Sequence, residues 1–119
     1  MPDTSDPSRR DLFRGSLNVL VLAILADGRQ YGYAIQQQLL TAAGQPFKPG
    51  SLYPMLHRME EQGLVKATWD RNGARPRKWY ELTAAGRAAF RKAAADWQAY
   101  LARLQGAVLP AVRRVAAQK

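Results

Sequence analysis

The stretch KPGSLYPMLHRMEEQGLV, Lys48–Val65, decides how the whole chain is read. From Leu52 to Leu64 its apolar residues recur at helical spacing, with Leu52, Met55, Leu56 and Met59 on one face. Pro54 sits inside that pattern. Deeper in a helix a proline removes a hydrogen bond and collides with the preceding turn; in the first turn it removes nothing, because those N–H groups have no intrahelical partner. The stretch therefore predicts a helix that starts at Gly50 or Ser51 and stops at Gly63. Its other face carries Ser51, Tyr53, Pro54, His57 and Arg58. The N-terminal end also offers free backbone N–H groups, which suit a phosphate.

Upstream, Leu12, Phe13, Leu17, Leu20, Val21, Ile24 and Leu25 give a broad apolar face, predicting a first helix over Asp11–Ala26. Gly28 is placed to cap it. A second helix is expected over Tyr31–Ala43, with Ile35, Leu39 and Leu40 inward, followed by turn residues, AGQPFKPGS. Downstream the period changes to two. LVKATWD and RKWYELT alternate around RNGARP, which predicts a β-hairpin about an Asn-Gly turn. Thr83 is a helix N-cap by type and position. Phe90, Ala94, Trp97, Leu101, Leu104 and Val108 then step by four and three, a heptad seam longer than one small domain can bury. Pro110 should kink or end that helix.

Three helices, a hairpin and a long helix make a mainly α protein on the winged helix-turn-helix plan, the hairpin being the wing. The expected organisation is a flexible arm over 1–8, a winged helix-turn-helix domain over 9–82, a dimerisation helix over 83–109 and a basic tail over 110–119, for which continued helix and fraying both stay open.

Composition narrows the function. The 119 residues carry 18 Lys and Arg against 9 Asp and Glu, a net charge of +9, which points to an anionic partner. There is no cysteine and one histidine, so thiolate chemistry is excluded and His57 has no companions for a metal site. No paired carboxylates stand at a plausible site and no Gly-rich phosphate loop occurs, so neither an enzyme nor a cofactor is expected. No apolar run reaches the roughly 20 residues that span a membrane, and the N-terminus lacks a signal pattern; the expected location is the cytoplasm.

GSLNVLVLAIL, YGYAIQQQL, GSLYPMLHRMEEQGLV, RKWYELTAAGR and Trp97 occur in that order. Together they resemble the PadR family of transcriptional regulators, in the small subclass with one C-terminal helix, over about Gly15–Leu104. Trp79 stands where the family pattern usually has tyrosine, and Arg29-Gln30-Tyr31 where relatives often have Pro and His before Gly-Tyr. The resemblance implies a homodimeric repressor. In it the third helix enters the major groove, the wing touches backbone or minor groove, and the last helix dimerises. It also implies a small aromatic effector, phenolic or cationic, at the dimer interface.

With the family match, the polar face of the third helix reads as a DNA contact: Ser51 and Tyr53 on phosphates, with Pro54 and His57 beside them and Arg58 at a guanine edge. Pairing of Arg58 with Glu60 or Glu61, or a place against a phosphate, stays open at this level. Arg71, Arg75, Arg77 and Lys78 are the wing cations, for minor groove or phosphates, against one acid, Asp70. Trp97 has two compatible readings, dimer core and ligand platform. Phe13, Asn18 and Asp96 are expected around it, with Phe90, Leu101 and Leu104 along the seam. Trp69 and Trp79 are expected to pack across the wing or onto the first helix, without chemistry. The partners expected are double-stranded DNA with a pseudo-palindromic operator, a second copy and the effector; no membrane is expected. The competing reading is a winged-helix module that binds protein instead of DNA.

Overall fold

A computed structural model describes the backbone of residues 7–43 and 49–118, and the side chains of residues 16–42 and 50–118. The elements run α1 (Pro7–Ala26), β1 (Gln30–Tyr31), α2 (Gly32–Ala43), a 3-10 turn (Pro49–Ser51), α3 (Leu52–Glu61), β2 (Val65–Asp70), β3 (Arg77–Leu82) and α4 (Ala84–Ala117). This is the expected winged helix-turn-helix, with α4 projecting from it. At 34 residues α4 is about 51 Å long, against a molecular length of 63 Å.

The core forms where the apolar faces of α1, α2 and α3 meet the sheet. Val21 and Leu25 of α1, Ile35 and Leu39 of α2, and Leu52 and Leu56 of α3 are fully buried. Met55, Met59, Val65, Tyr80 and Leu82 close it on the sheet side. Burying one such side chain stabilises by roughly 1.5–3 kcal/mol relative to leaving it in water. The four residues expected inward on α3 are the four that are buried.

The end of α3 follows from Gly63. Its φ of +75° lets the chain turn back; its N–H donates to the Glu60 carbonyl at 2.9 Å, and the Leu64 N–H to the Met59 carbonyl at 2.9 Å. These two bonds are a Schellman cap. Thr83 then ties α4 to this corner. Its N–H donates to the Leu64 carbonyl at 3.1 Å, its hydroxyl donates to the Gly63 carbonyl at 2.6 Å, and the same oxygen accepts from the Gly86 N–H at 3.0 Å. Helix α3, the root of the wing and α4 are bolted together at one point.

Several expectations need correction. Helix α1 starts at Pro7, four residues before Asp11 and inside the segment expected as an arm; residues 1–6 of that arm lie outside the described residues. Strand β1 was not expected. It adds Gln30 and Tyr31 to the edge of β3, giving a three-stranded antiparallel sheet in the order β1-β3-β2. Asn72-Gly73 is not a two-residue hairpin turn. Six residues separate the strands, and neither Asn72 nor Gly73 has the positive φ that such a turn requires. Instead the Asn72 N–H donates to Asp70 Oδ1 at 3.0 Å, an Asx turn. Finally, Pro110 does not end α4, which runs to Ala117. The proline leaves only the Gly106 carbonyl without its helical donor, at an exposed position where water can serve.

Candidate nucleic-acid interface

On α3, opposite the buried Leu52 and Leu56, the side chains of Tyr53, Pro54, His57 and Arg58 are exposed. Pro54 is the third residue of the helix, so it costs no hydrogen bond. Ser51 precedes the helix and is half-buried; its side chain makes no cap bond, so the first-turn N–H groups have no side-chain partner. His57 Nε2 lies 2.8 Å from Glu61 Oε1, one turn on. Glu61 is thus taken by His57, and Arg58 makes no ion pair among the described residues. Tyr53 leans across the first residue of α2. A Cβ on Gly32 would stand 2.9 Å from Tyr53 Cε1 and Oη, so the ring end of this exposed tyrosine lies directly over the glycine. Nothing in the apolar periodicity of YGYAI signals that contact.

The wing cations do not form one stripe. Register pairs Asp70 with Arg77 and Trp69 with Lys78, so alternation sends Arg77 and Lys78 to opposite faces of the hairpin. Arg77 belongs to a layered stack that sequence reasoning missed. Tyr31 and Trp79 face each other across β1 and β3, with ring centroids 3.6 Å apart and planes 24° from parallel. The Arg29 guanidinium lies 4.3 Å from the Trp79 ring, and that of Arg77 lies 4.4 Å from the Tyr31 ring. Two cations therefore enclose two aromatic rings, and cation–π attraction joins each outer pair. Trp79 is thus held by Arg29 and Tyr31 of the α1–α2 connection. The signal that could have found the stack is the departure already noted: Arg-Gln-Tyr before Gly-Tyr, together with Trp79.

Asp70 fastens the stack. The Tyr31 hydroxyl donates to Asp70 Oδ2 at 2.6 Å. That bond and the Asn72 N–H hold the carboxyl below its ordinary range, with Trp79 and Arg77 adding to the effect. The same bond raises the Tyr31 phenol above its ordinary value, helped by desolvation and the Asp70 charge. Tyr80, on the core side, is raised by burial first and by Glu60 and Tyr53 nearby. Arg71, Arg75 and Arg77 are exposed and Lys78 is half-buried.

The residues expected at an effector or dimer surface lie on α1 and α4, which pack together. Asn18 and Asp96 are exposed, Leu101 is half-buried, and Phe90 packs partly against the chain's own core. The Phe13 side chain lies outside the described residues. Trp97 is 44% exposed and Leu104 41%. Beyond Leu104 the apolar series continues in phase through Val108, Ala111 and Val115, with Val108 and Val115 exposed. No described helix is long and apolar enough to cross a membrane, and no cluster of His, Cys, Asp and Glu suited to a metal occurs among the described residues.

A family model described as "Transcriptional regulator PadR-like family" matches residues 21–92, from within α1 to the first quarter of α4. Transcriptional regulator Rv3488 of Mycobacterium tuberculosis is 36% identical over 81 residues, covering 68% of this chain and 75% of that protein. The crystal structure of a PadR family transcriptional regulator from Eggerthella lenta is similar with a TM-score of 0.72 at 35% identity, covering 85% of this chain and 88% of that one. A PadR-like regulator from Bacillus cereus, at 23% identity, shares the fold with a TM-score of 0.74, covering 82% of this chain and 96% of its own.

Proposed function

The chain belongs to the PadR-like family of transcriptional regulators, and on that premise we propose that it is a homodimeric repressor of a pseudo-palindromic operator, released by a small aromatic effector. The observation that carries the DNA reading is α3. A helix whose inward face is wholly apolar presents Tyr53, Pro54, His57 and Arg58 outward, next to a start whose N–H groups no side chain caps. In this reading Ser51 and Tyr53 hold phosphates, which sets register, and Arg58 reads a base edge. The wing residues Arg71, Arg75, Arg77 and Lys78 add charge to the same footprint in a chain of net charge +9.

Dimerisation rests on the seam of α4. Trp97, Leu101, Leu104 and Val108 lie on one face of a helix that extends past the body of the domain. A second α4 would cover that face. Trp97 and its two-fold mate, with Asn18 and Asp96 nearby, would then meet a flat aromatic molecule, Asp96 favouring a cation. The test is a titration of the duplex upstream of the protein's own gene against a scrambled duplex of equal length. Tighter binding to the first, weakened when phenolic acids or cationic dyes are added, supports the reading; equal binding to both removes sequence-specific regulation.

A further inference from the structure

We propose that Trp69 is a DNA-contacting residue at the tip of the wing; the inference rests on the DNA reading above. Strand register places Trp69 directly opposite Lys78 and on the same sheet face as Val65, Ala67, Tyr80 and Leu82. That is the face the helices cover. Val65, Tyr80 and Leu82 are buried there, but toward the tip the helices run out and Trp69 stands 52% exposed. The largest apolar side chain in the chain's repertoire therefore occupies an inward-facing position with no core to face.

Its surroundings select the partner. Lys78 Nζ lies 5.2 Å from the Trp69 ring and Arg71 Cζ lies 5.5 Å from it. The two acids of the hairpin, Asp70 and Glu81, lie on the opposite face, where Asp70 is engaged by Tyr31. Arg77 is on that opposite face too, over Tyr31. The two faces of the wing thus differ in kind. One is a closed stack of aromatic rings, cations and a carboxylate. The other is a half-exposed indole with two cations over its ring and no acid on the same face of the hairpin. An apolar plate flanked by positive charge matches the surface of a nucleic-acid groove, where sugars and base edges lie between two rows of phosphates. A protein partner would need acids to meet both cations and an apolar pocket to take the indole; duplex DNA offers phosphates to the cations and sugar surface to the indole along its whole length.

The test uses the full chain and a fluorescein-labelled duplex of the region upstream of its gene, titrated at several NaCl concentrations. Trp69→Ala should bind about tenfold more weakly at every salt concentration with the log–log slope unchanged, because the indole neutralises no phosphate. Trp69→Phe should recover most of that loss. Lys78→Ala should reduce the slope by about one. Tryptophan emission should fall when the wild-type protein binds DNA, and most of that fall should be missing in Trp69→Phe. Wild-type affinity in Trp69→Ala would overturn the inference while leaving the DNA reading intact. So would a slope that falls in Trp69→Ala as it does in Lys78→Ala, which would mean that the indole only holds the cations in place. A wild-type protein that does not bind the duplex at low salt overturns both.

Discussion

Gly86 sits at the bolt between α3, the wing and α4, and its replacement by alanine sets two effects against each other. Glycine inside a helix costs about 1 kcal/mol relative to alanine, so propensity alone predicts that Gly86→Ala stabilises. Space predicts the reverse. A Cβ at this position would overlap the Leu64 carbonyl oxygen, stand 3.0 Å from the Leu64 carbonyl carbon and lie 3.1 Å from Leu82 Cδ2. Two of the three are backbone atoms of a segment already fixed by the Schellman cap, so neither can move as a side chain would. The start of α4 must shift instead. That shift breaks or weakens the bonds from Thr83 to the Leu64 and Gly63 carbonyls, at about 1 kcal/mol each. Overpacking adds about 1–3 kcal/mol. After subtracting the propensity gain, the net loss is about 2–4 kcal/mol. For a domain of this size that lowers Tm by roughly 10 °C. Gly106→Ala, in the same helix, is the control: nothing stands within 4 Å of the Cβ it would add, and it should gain up to about 1 kcal/mol. Thermal unfolding by circular dichroism, at one protein concentration because a dimer's Tm depends on it, reads both. A Gly86→Ala protein that melts at or above the wild-type temperature would refute the packing argument.

Asp70→Asn removes the fastening of the Tyr31–Trp79 stack. The folded carboxyl lies below its ordinary value, so its contribution is present above about pH 4 and is lost as pH falls through the folded value. Denaturant melts should therefore show the variant less stable than wild type at pH 7, with the two curves converging below about pH 4; a gap that persists at the lowest pH contradicts the assignment. Trp97→Ala should loosen the dimer by removing a large apolar side chain from the seam, which sedimentation at low micromolar concentration reads as a shift toward monomer. A variant that stays fully dimeric removes Trp97 from the interface. Arg58→Ala should lower the ratio of specific to random-duplex affinity in anisotropy titrations; equal losses on both would end its base-reading role.

The helices and the wing were legible because each carries a period that only one kind of element satisfies. Leu52, Met55, Leu56 and Met59 fit a helix face, and Pro54 fits it only as a first-turn residue; all four apolar residues are buried and Pro54 is third in the helix. What stayed illegible depends on contacts between distant segments. Strand β1 has two residues, too few to show alternation, and exists because β3 offers it an edge. The stack of Arg29, Trp79, Tyr31 and Arg77 joins positions nearly fifty apart in sequence, and no local pattern announces it. Asp70 looked like a stray acid among arginines, yet its carboxylate organises the tip end of the wing. The wing cations could be counted from composition, but only the register of β2 with β3 separates Arg77 from Lys78. Pro110 misled in the other direction, because a helix exposed to water tolerates one missing hydrogen bond.

In the function proposed above, α3 and the wing of a two-fold dimer bind duplex DNA. The most direct measurement is a hydroxyl-radical footprint of the region upstream of the protein's own gene at low and then raised salt. Two protected patches are expected, their centres about 34 Å, one helical turn, apart, fading together as salt rises. A duplex cleaved uniformly at low salt, with protein present in excess, would contradict it.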